Sequence, residues 1–198
     1  MNSGIYDQMS ATWARVAARF PAYELLLPGS TAFVCKAEAC EAHCCKVYSV
    51  SLGDREVGRL RSSSGLHMVE FLECEDGQPI VLPLAQPFML ARKSGTCALL
   101  GDDLRCGQYH GRPDACRLYP HFVIVFREQD ARPIYSEVAT VRAAVRAVVA
   151  GAAYPEDEPL LLRHLECPGF TGAPLAEEEW RELIVETARL QYEEASNP

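Results

Sequence analysis

Cysteine is the residue type whose number and spacing most clearly indicate chemistry in this chain, with 9 among 198 residues. Four of them, Cys35, Cys40, Cys44 and Cys45, are separated by four, three and no intervening residues. Thiols this close in sequence can converge on one site without closing a long loop. Because neighbouring side chains diverge, Cys44 and Cys45 suit a multinuclear cluster or two nearby metals, unless only one of them is a ligand.

A second group of cysteines follows further along the chain. Cys97, Cys106 and Cys116 are separated by eight and nine residues, and Cys167 follows in a Glu-Cys-Pro-Gly segment. The two groups provide eight thiolates, enough for two four-sulfur sites or for one cluster and a second centre. The remaining Cys74 is interpreted as a small buried apolar side chain. The spacings match neither the paired Cys-x2-Cys zinc pattern nor the ferredoxin run, so they indicate metal binding without identifying the metal.

The composition of the chain indicates which classes of partner and which cellular compartment to expect. With 19 Lys and Arg against 27 Asp and Glu, the formal net charge of −8 argues against nucleic acid, because phosphate binding needs a basic face. No stretch has the roughly 18 consecutive apolar residues of a membrane span, and the first residues do not resemble a signal peptide. We therefore expect a cytoplasmic protein without a membrane partner, whose reduced thiols serve metal, redox or nucleophilic chemistry. The sequence leaves open whether the protein has a protein partner.

The cysteines stand in a sequence context that resembles one known family. The segments concerned are Phe33-Val34-Cys35, Cys40, Cys44-Cys45, Cys97-Ala-Leu-Leu, Arg105-Cys106-Gly-Gln-Tyr109, Arg112-Pro113, Cys116-Arg117-Leu-Tyr119-Pro120 and Cys167-Pro-Gly. Over roughly residues 30–172 this pattern resembles the cysteine-cluster family of zinc- or iron-chelating proteins, to which the flagellin lysine N-methylases are related. The resemblance implies a metal or iron–sulfur centre on those eight cysteines. Two departures are the longer gap before Cys40 and Ala42-His43 in place of a glycine that often precedes the doublet.

Arginines and histidines are the other chemistry-bearing side chains near these cysteines. We expect the guanidinium groups of Arg112 and Arg117 to lie beside the metal ligands, where they offset the charge of buried thiolates. The alternative for each is an ordinary ion pair with a surface carboxylate. His43 and His121 flank candidate ligands, and each could replace a thiolate. No catalytic residue follows from the sequence, because no Ser/His/Asp grouping and no nucleotide-binding glycine motif can be singled out.

The elements that must position these groups are short. Apolar residues at helical spacing predict helices at about 7–20 and 138–149, and Pro174 is predicted to begin a last helix at about 174–195. Short strands are predicted at 47–52 and 122–126, a short helix at 54–61, and a hairpin that places Cys97 and Cys106 on neighbouring strands. The expected class is α+β. We expect a single compact domain over 1–198, with a loop-rich metal-binding core at about 30–172 and the two terminal helices packed on it.

These features lead to one function hypothesis and two alternatives. The leading hypothesis is a small metal-binding protein that holds an iron–sulfur cluster, or a zinc or iron ion, on its cysteines. Such a centre would act in redox chemistry or as an accessory to a modification reaction, and the doublet favours the cluster. One alternative is a protein-modifying enzyme of the lysine N-methylase type, although no motif marks a domain for S-adenosylmethionine. The other is a structural zinc module that presents a protein-binding surface.

Overall fold

The computed structural model describes residues 3–127, 129, 132–134, 137–152 and 157–192. The helices are α1 (Ser3–Val16), α2 (His43–Val47), α3 (Asp54–Ser64), α4 (Met68–Phe71), α5 (Asp114–Leu118), α6 (Val138–Val149) and α7 (Glu177–Tyr192). The strands are β1 (Tyr23–Leu25), β2 (Thr31–Phe33), β3 (Ser51–Leu52), β4 (Cys74–Glu75), β5 (Gln78–Pro79), β6 (Phe88–Met89), β7 (Arg92–Lys93), β8 (Thr96–Cys97), β9 (His121–Arg127), β10 (Arg132–Ile134), β11 (Asp157–His164) and β12 (Phe170–Pro174). Helices beside small antiparallel sheets confirm the predicted α+β class.

Internal contacts divide the chain into two compact units. The sheet unit comprises Met1–Val34 and Leu118–Glu194, and the cysteine unit comprises Cys35–Arg117. Eight of the nine cysteines belong to the cysteine unit, and Cys167 belongs to the sheet unit. The single domain expected over residues 1–198 stays a prediction, since contact density within parts of a chain does not decide whether those parts fold separately.

A four-stranded antiparallel sheet forms the centre of the sheet unit, in the order β1-β11-β9-β10. The two central strands pair over seven residues, from Asp157 opposite Arg127 to Arg163 opposite His121. All four residues from Val123 to Phe126 are buried, so β9 has a continuous apolar run rather than an alternating one. Residues of α1, α6 and α7 belong to the same core, which explains why both faces of β9 are apolar.

The helices of the sheet unit follow the sequence predictions closely, with shifts at their ends. Helix α6 has the predicted bounds, and α1 begins earlier than predicted and ends in a 3₁₀ turn at Ala17–Arg19. Helix α7 begins at Glu177 rather than at Pro174, because Pro174 pairs with Thr31 at the end of β12. Residues 193–195 of the predicted last helix lie outside the described residues. Among the helices described, none is long and apolar enough to cross a membrane.

A second apolar cluster supports the short elements of the cysteine unit. It consists of Leu52, Val57, Leu60, Phe71, Leu72, Leu90 and Leu99, with Cys74, Cys97 and Cys106 packed against it. Two tight hairpins, β4–β5 and β7–β8, turn at Asp76-Gly77 and Ser94-Gly95, where all four residues have positive φ angles between 51° and 84°. Two-residue turns of this kind match the twist of antiparallel strands and depend on glycine at the second position.

The predicted hairpin between Cys97 and Cys106 is only partly correct. Cys97 lies on β8 and is opposite Arg92 on β7, because the Ser94-Gly95 turn closes a hairpin on its N-terminal side. Cys106 instead forms an isolated bridge with Leu100 across the predicted turn at 101–103. The two cysteines are therefore on successive hairpins.

One buried carboxylate joins the start of α3 to the start of α5. Glu56 is 6% exposed, and its Oε2 accepts a hydrogen bond of 2.9 Å from the backbone N–H of Gly53, which caps α3. Its Oε1 accepts one of 2.8 Å from the N–H of Asp114, the first residue of the helix that contains Cys116. Arg59, one turn further along α3, donates to the carbonyl of Arg112 and to the Asp114 carboxylate. These contacts fix the position of the Cys116 segment on α3.

Replacing Glu56 with Gln should destabilise the metal-free protein by about 1–3 kcal/mol, because an amide has only one acceptor oxygen for two buried N–H donors. Urea unfolding in the presence of a chelator measures this change. Glu70→Gln is the matched control, since Glu70 makes the equivalent single cap to His67 at an exposed site and should change stability by less than about 0.5 kcal/mol. Equal losses in the two variants would contradict the bridging role of Glu56.

Candidate metal centre

The candidate ligand thiols of the cysteine unit come from three separate segments. The first contains Cys35, a 3₁₀ turn at Ala37–Cys40, and helix α2 with Cys44 and Cys45. The second contains Cys97 on β8 and Cys106 beyond the following turn, and the third is α5 with Cys116. All nine cysteines of the chain are free thiols, and Cys35 alone is classed as exposed.

A hydrogen bond connects the adjacent thiols of the doublet, Cys44 and Cys45. A hydrogen bond from the Cys45 thiol lowers the pKa of Cys44 well below its usual range, and the neighbouring His43 lowers it further. The same hydrogen bond, followed by burial, raises the pKa of Cys45. The adjacent side chains therefore interact directly, and Cys44 ionises more readily than Cys45.

A left-handed turn between Cys40 and Cys44 brings the doublet into position. Glu41 has φ 49° and ψ 39°, and Ala42 has φ 55° and ψ 42°. This conformation costs a residue with a Cβ atom about 1–2 kcal/mol. Ala42 then accepts a hydrogen bond of 2.9 Å from the N–H of Cys45, which closes the first turn of α2. A glycine at either position would adopt the same turn without that cost.

The two thiols on the successive hairpins, Cys97 and Cys106, are half-buried. Burial raises the pKa of each thiol, and a backbone N–H counteracts this effect in both, from Leu99 to Cys97 and from Gln108 to Cys106. The Leu99 N–H lies 3.4 Å from the Cys97 sulfur. Cys44 raises the pKa of both thiols further, so the doublet and the hairpins share one electrostatic environment.

Cys116 on α5 has the same neighbours. Burial, followed by the nearby Cys97, Cys106 and Cys44, raises the pKa of Cys116 to about 12. All three segments therefore contribute sulfur to one cluster, which we call the thiol cluster: Cys44, Cys45, Cys97, Cys106 and Cys116. Cys35 lies beside it, since Cys44 and Cys40 both raise its pKa after the larger effect of burial.

Arg112 supplies positive charge to the thiol cluster. Its charge counteracts the larger burial effects that raise the pKa of Cys35, Cys106 and Cys116. The guanidinium carbon lies 3.7 Å from the ring centroid of Tyr109, and Nε donates to the Tyr109 carbonyl at 3.0 Å. Both contacts hold the arginine in place, and its position beside metal ligands stays a prediction.

Arg117 pairs with a carboxylate of its own helix. Its Nη1 lies 3.4 Å from Oδ1 of Asp114, the residue that Arg59 also binds. This ion pair is the alternative expected for an ordinary arginine, and a role for Arg117 beside the metal stays a prediction.

The remaining candidates lie in other surroundings. Cys74, predicted to be buried, is only partly buried: it packs on the apolar cluster of the cysteine unit, and its thiol donates to the Leu72 carbonyl at 3.3 Å. Cys167 lies in the sheet unit, where its N–H donates to the His164 carbonyl at 3.2 Å. Its role as a ligand stays a prediction.

The two candidate histidines also differ from each other. His43 stands edge-on to Tyr48, with 6.2 Å between ring centroids, and lowers the pKa of the neighbouring Cys44. His121 lies in the sheet unit between Phe33 and Phe170, each with its ring centroid 5.7 Å away. Burial lowers the pKa of His121 to about 4, and among the described residues its Nε2 has no hydrogen-bond partner.

The donor set of the thiol cluster fits zinc or iron. Its donors are sulfur atoms alone, which are the soft ligands that these metals take in cysteine sites. A bound cation would favour thiolates that burial and mutual repulsion now keep protonated. Among the described residues, no three His, Cys, Asp or Glu side chains are already arranged to hold a metal ion.

Three residues that support the site were not identified from the sequence. Glu56 and Arg59 hold the Cys116 segment, and Arg92 donates to carbonyls beside the doublet. The spacing of Gly53 and Glu56 is that of a helix cap, which was a usable signal for one of the two contacts of Glu56. Arg59 binds Arg112 and Asp114, and Arg92 binds Lys46 and Tyr48, at separations of 44 to 55 positions that local sequence patterns do not indicate.

The metal-free protein should lose stability as the pH rises above about 8.5, the usual pKa of a thiol. Folding raises the pKa of Cys116 to about 12, whereas the thiol of an unfolded chain has a pKa of about 8.5. The folded state then keeps a proton that the unfolded state loses, so the free energy of unfolding falls by about 1.4 kcal/mol per pH unit above that value. Melting curves with chelator and reductant measure the slope.

Cys116→Ala should reduce this slope, and Cys74→Ala is the matched control for the loss of a half-buried thiol. A slope that is the same in the wild type and in Cys116→Ala would contradict the assignment of the retained proton to Cys116.

The chain is also similar to a known protein family. Residues 34–140 match the family model described as "CxxCxxCC: Putative zinc- or iron-chelating domain". No curated protein and no solved structure matches the chain. The match includes seven of the eight proposed ligand cysteines, from Cys35 to Cys116, and ends before Cys167. Because it extends over more than half of the chain and confirms the resemblance found in the cysteine pattern, the protein belongs to this family of zinc- or iron-chelating proteins.

Proposed function

We propose that the protein holds an iron–sulfur cluster on the thiol cluster of the cysteine unit and uses it in electron transfer or in support of a modification reaction. The observation on which this depends is the mutual effect of sulfurs from three segments on one another's pKa values, with Cys44 common to them. The proposal assumes a reducing compartment such as the cytoplasm, where thiols stay available as ligands.

The number of thiols favours a cluster over one zinc ion. A tetrahedral zinc site takes four ligands, and the cysteine unit has five in the thiol cluster with Cys35 and Cys40 next to it. The hydrogen-bonded doublet also offers two sulfurs from adjacent positions, which several irons can share more easily than one ion can. Cys167 is the eighth ligand that we propose from the sequence pattern.

The chain's own groups would tune such a cluster. When bound, an iron–sulfur cluster supplies one-electron redox chemistry, with a potential that depends on net charge and on hydrogen bonds to sulfur. The N–H groups of Leu99 and Gln108 already favour thiolates at Cys97 and Cys106. Arg112 adds a fixed positive charge beside them.

Protein purified without oxygen should contain iron and acid-labile sulfide and show broad visible absorption, because thiolate-to-iron charge transfer absorbs there. Elemental analysis of the purified protein is the measurement. Cys116→Ser should lose most of the metal, and Cys74→Ser should keep it, since Cys74 bonds to a carbonyl in the apolar cluster.

Stoichiometric zinc without iron in the same material would contradict the cluster and identify a zinc centre instead. Equal metal loss in Cys74→Ser and Cys116→Ser would show that the ligand assignment is wrong. Wild-type protein with neither metal and with all thiols open to titration would contradict metal binding altogether.

Arg112→Ala should weaken metal retention more than Arg117→Ala does. Arg112 acts on three thiols, whereas Arg117 pairs with Asp114. Neighbours of ligating residues typically change metal affinity by about 10–100-fold, so we expect an effect of this size for Arg112 alone. Competition with a chelator measures it, and an equal effect of the two substitutions would contradict the distinction.

A further inference from the structure

A half-buried arginine connects the doublet helix to the hairpin of Cys97. Nη1 of Arg92 donates to the carbonyl of Tyr48 at 2.8 Å, and Nη2 donates to the carbonyls of Lys46 and Gly95. Lys46 belongs to α2, Tyr48 follows that helix directly, and Gly95 lies in the turn of the β7–β8 hairpin. One guanidinium thus binds both the C-terminal end of α2 and the turn of the β7–β8 hairpin.

The contacts with Lys46 and Tyr48 satisfy carbonyls at the C-terminal end of α2. The last carbonyls of any helix lack partners within the helix, and an arginine is a suitable donor for them. In a helix of only five residues, few backbone hydrogen bonds within the helix hold its end in place. The orientation of α2, and with it that of Cys44 and Cys45, therefore depends on Arg92.

Arg92 also lies close to Cys97 within the β7–β8 strand pair. Arg92 is directly opposite Cys97 in the β7–β8 register, and residues in such a pair have Cβ atoms about 4.5–5.5 Å apart. The charge of Arg92 also counteracts the larger burial effect that raises the pKa of Cys97. The side chain that orients the doublet is thus next to a thiol of the second segment.

The backbone of Arg92 is itself firmly held. Its N–H donates to Oε1 of Glu73 at 2.9 Å, and the preceding Ala91 N–H donates to the Phe71 carbonyl at 2.8 Å. Phe71 and the neighbouring Leu90 are core residues of the unit. The backbone that carries the guanidinium is therefore held in a fixed position.

We propose that Arg92 is a positioning residue of the metal centre, whose guanidinium holds the Cys44-Cys45 helix and the Cys97 hairpin in one arrangement before metal binds. The inference rests on the proposed function for its effect on affinity. It assigns to Arg92 a role other than that of Arg112, because Arg92 acts through three carbonyls in addition to its charge.

The test compares Arg92→Ala and Arg92→Lys with Lys93→Ala as the matched control. Lys93 is the exposed next residue on β7, so its loss removes a charge from the same hairpin without touching α2. In the metal-free full-length protein, amide hydrogen exchange should become faster in residues 43–50 and 93–98 of Arg92→Ala and stay unchanged in helix α3. Lysine keeps the charge but lacks the planar group of N–H donors that arginine has, so exchange rates in Arg92→Lys should lie between those of the wild type and Arg92→Ala.

The second measurement is the affinity for Co²⁺, read from its thiolate charge-transfer band in competition with a chelator. We expect a loss of about 10–100-fold in Arg92→Ala, a smaller loss in Arg92→Lys and none in Lys93→Ala. If Arg92→Ala does not fold, the same two measurements on Arg92→Lys decide the question.

Wild-type exchange rates together with wild-type affinity in the Arg92 variants would overturn the inference. An equal effect of Lys93→Ala would do so too, because it would reduce the role of Arg92 to charge alone. Wild-type protein that binds neither Co²⁺ nor iron contradicts the proposed function instead, and hydrogen exchange in the metal-free protein then still tests the positioning by Arg92.

Discussion

The candidate centre depends on keeping several thiols close together while most of them still hold their protons. Burial raises the pKa of Cys97, Cys106 and Cys116, and each nearby thiol raises it further. Crowding therefore brings little repulsion before metal arrives, because protonated thiols are neutral. Metal binding then exchanges protons for a cation, so affinity and pH are linked at this site.

The architecture of the cysteine unit follows from this requirement. Its elements are too short to be stable alone, and isolated helices of α2 or α5 length do not persist in water. Side chains from longer or better-anchored elements hold them instead. Glu56 of α3 binds the start of α5, and Arg92 of the β7–β8 hairpin binds the end of α2. The placement of the thiols thus depends on a few polar contacts above a small apolar cluster.

The sequence was sufficient to predict the regular parts of the fold and the composition of the site. Helix α6 and strand β9 lie where their apolar patterns placed them, because periodicity directly records which face is buried. The predicted pairing of Cys97 with the strand of Cys106 was wrong, because the Ser94-Gly95 turn pairs Cys97 with Arg92 instead. The contacts of Arg92 with Tyr48 and of Glu56 with Asp114 join residues 44 and 58 positions apart. Local patterns do not contain such pairings.

Charge is divided unevenly along the chain in a way that suits the thiols. Residues 35–117 contain 10 Lys and Arg against 11 Asp and Glu, whereas the rest of the chain has 9 against 16. All three lysines, Lys36, Lys46 and Lys93, lie within the cysteine unit. A nearly neutral surrounding lowers the cost of forming thiolates, and Arg112 and Arg92 place positive charge next to particular sulfurs. Because a metal bound by four or more thiolates still has a net negative charge, these arginines remain useful after binding, when they offset the charge that the metal leaves uncompensated.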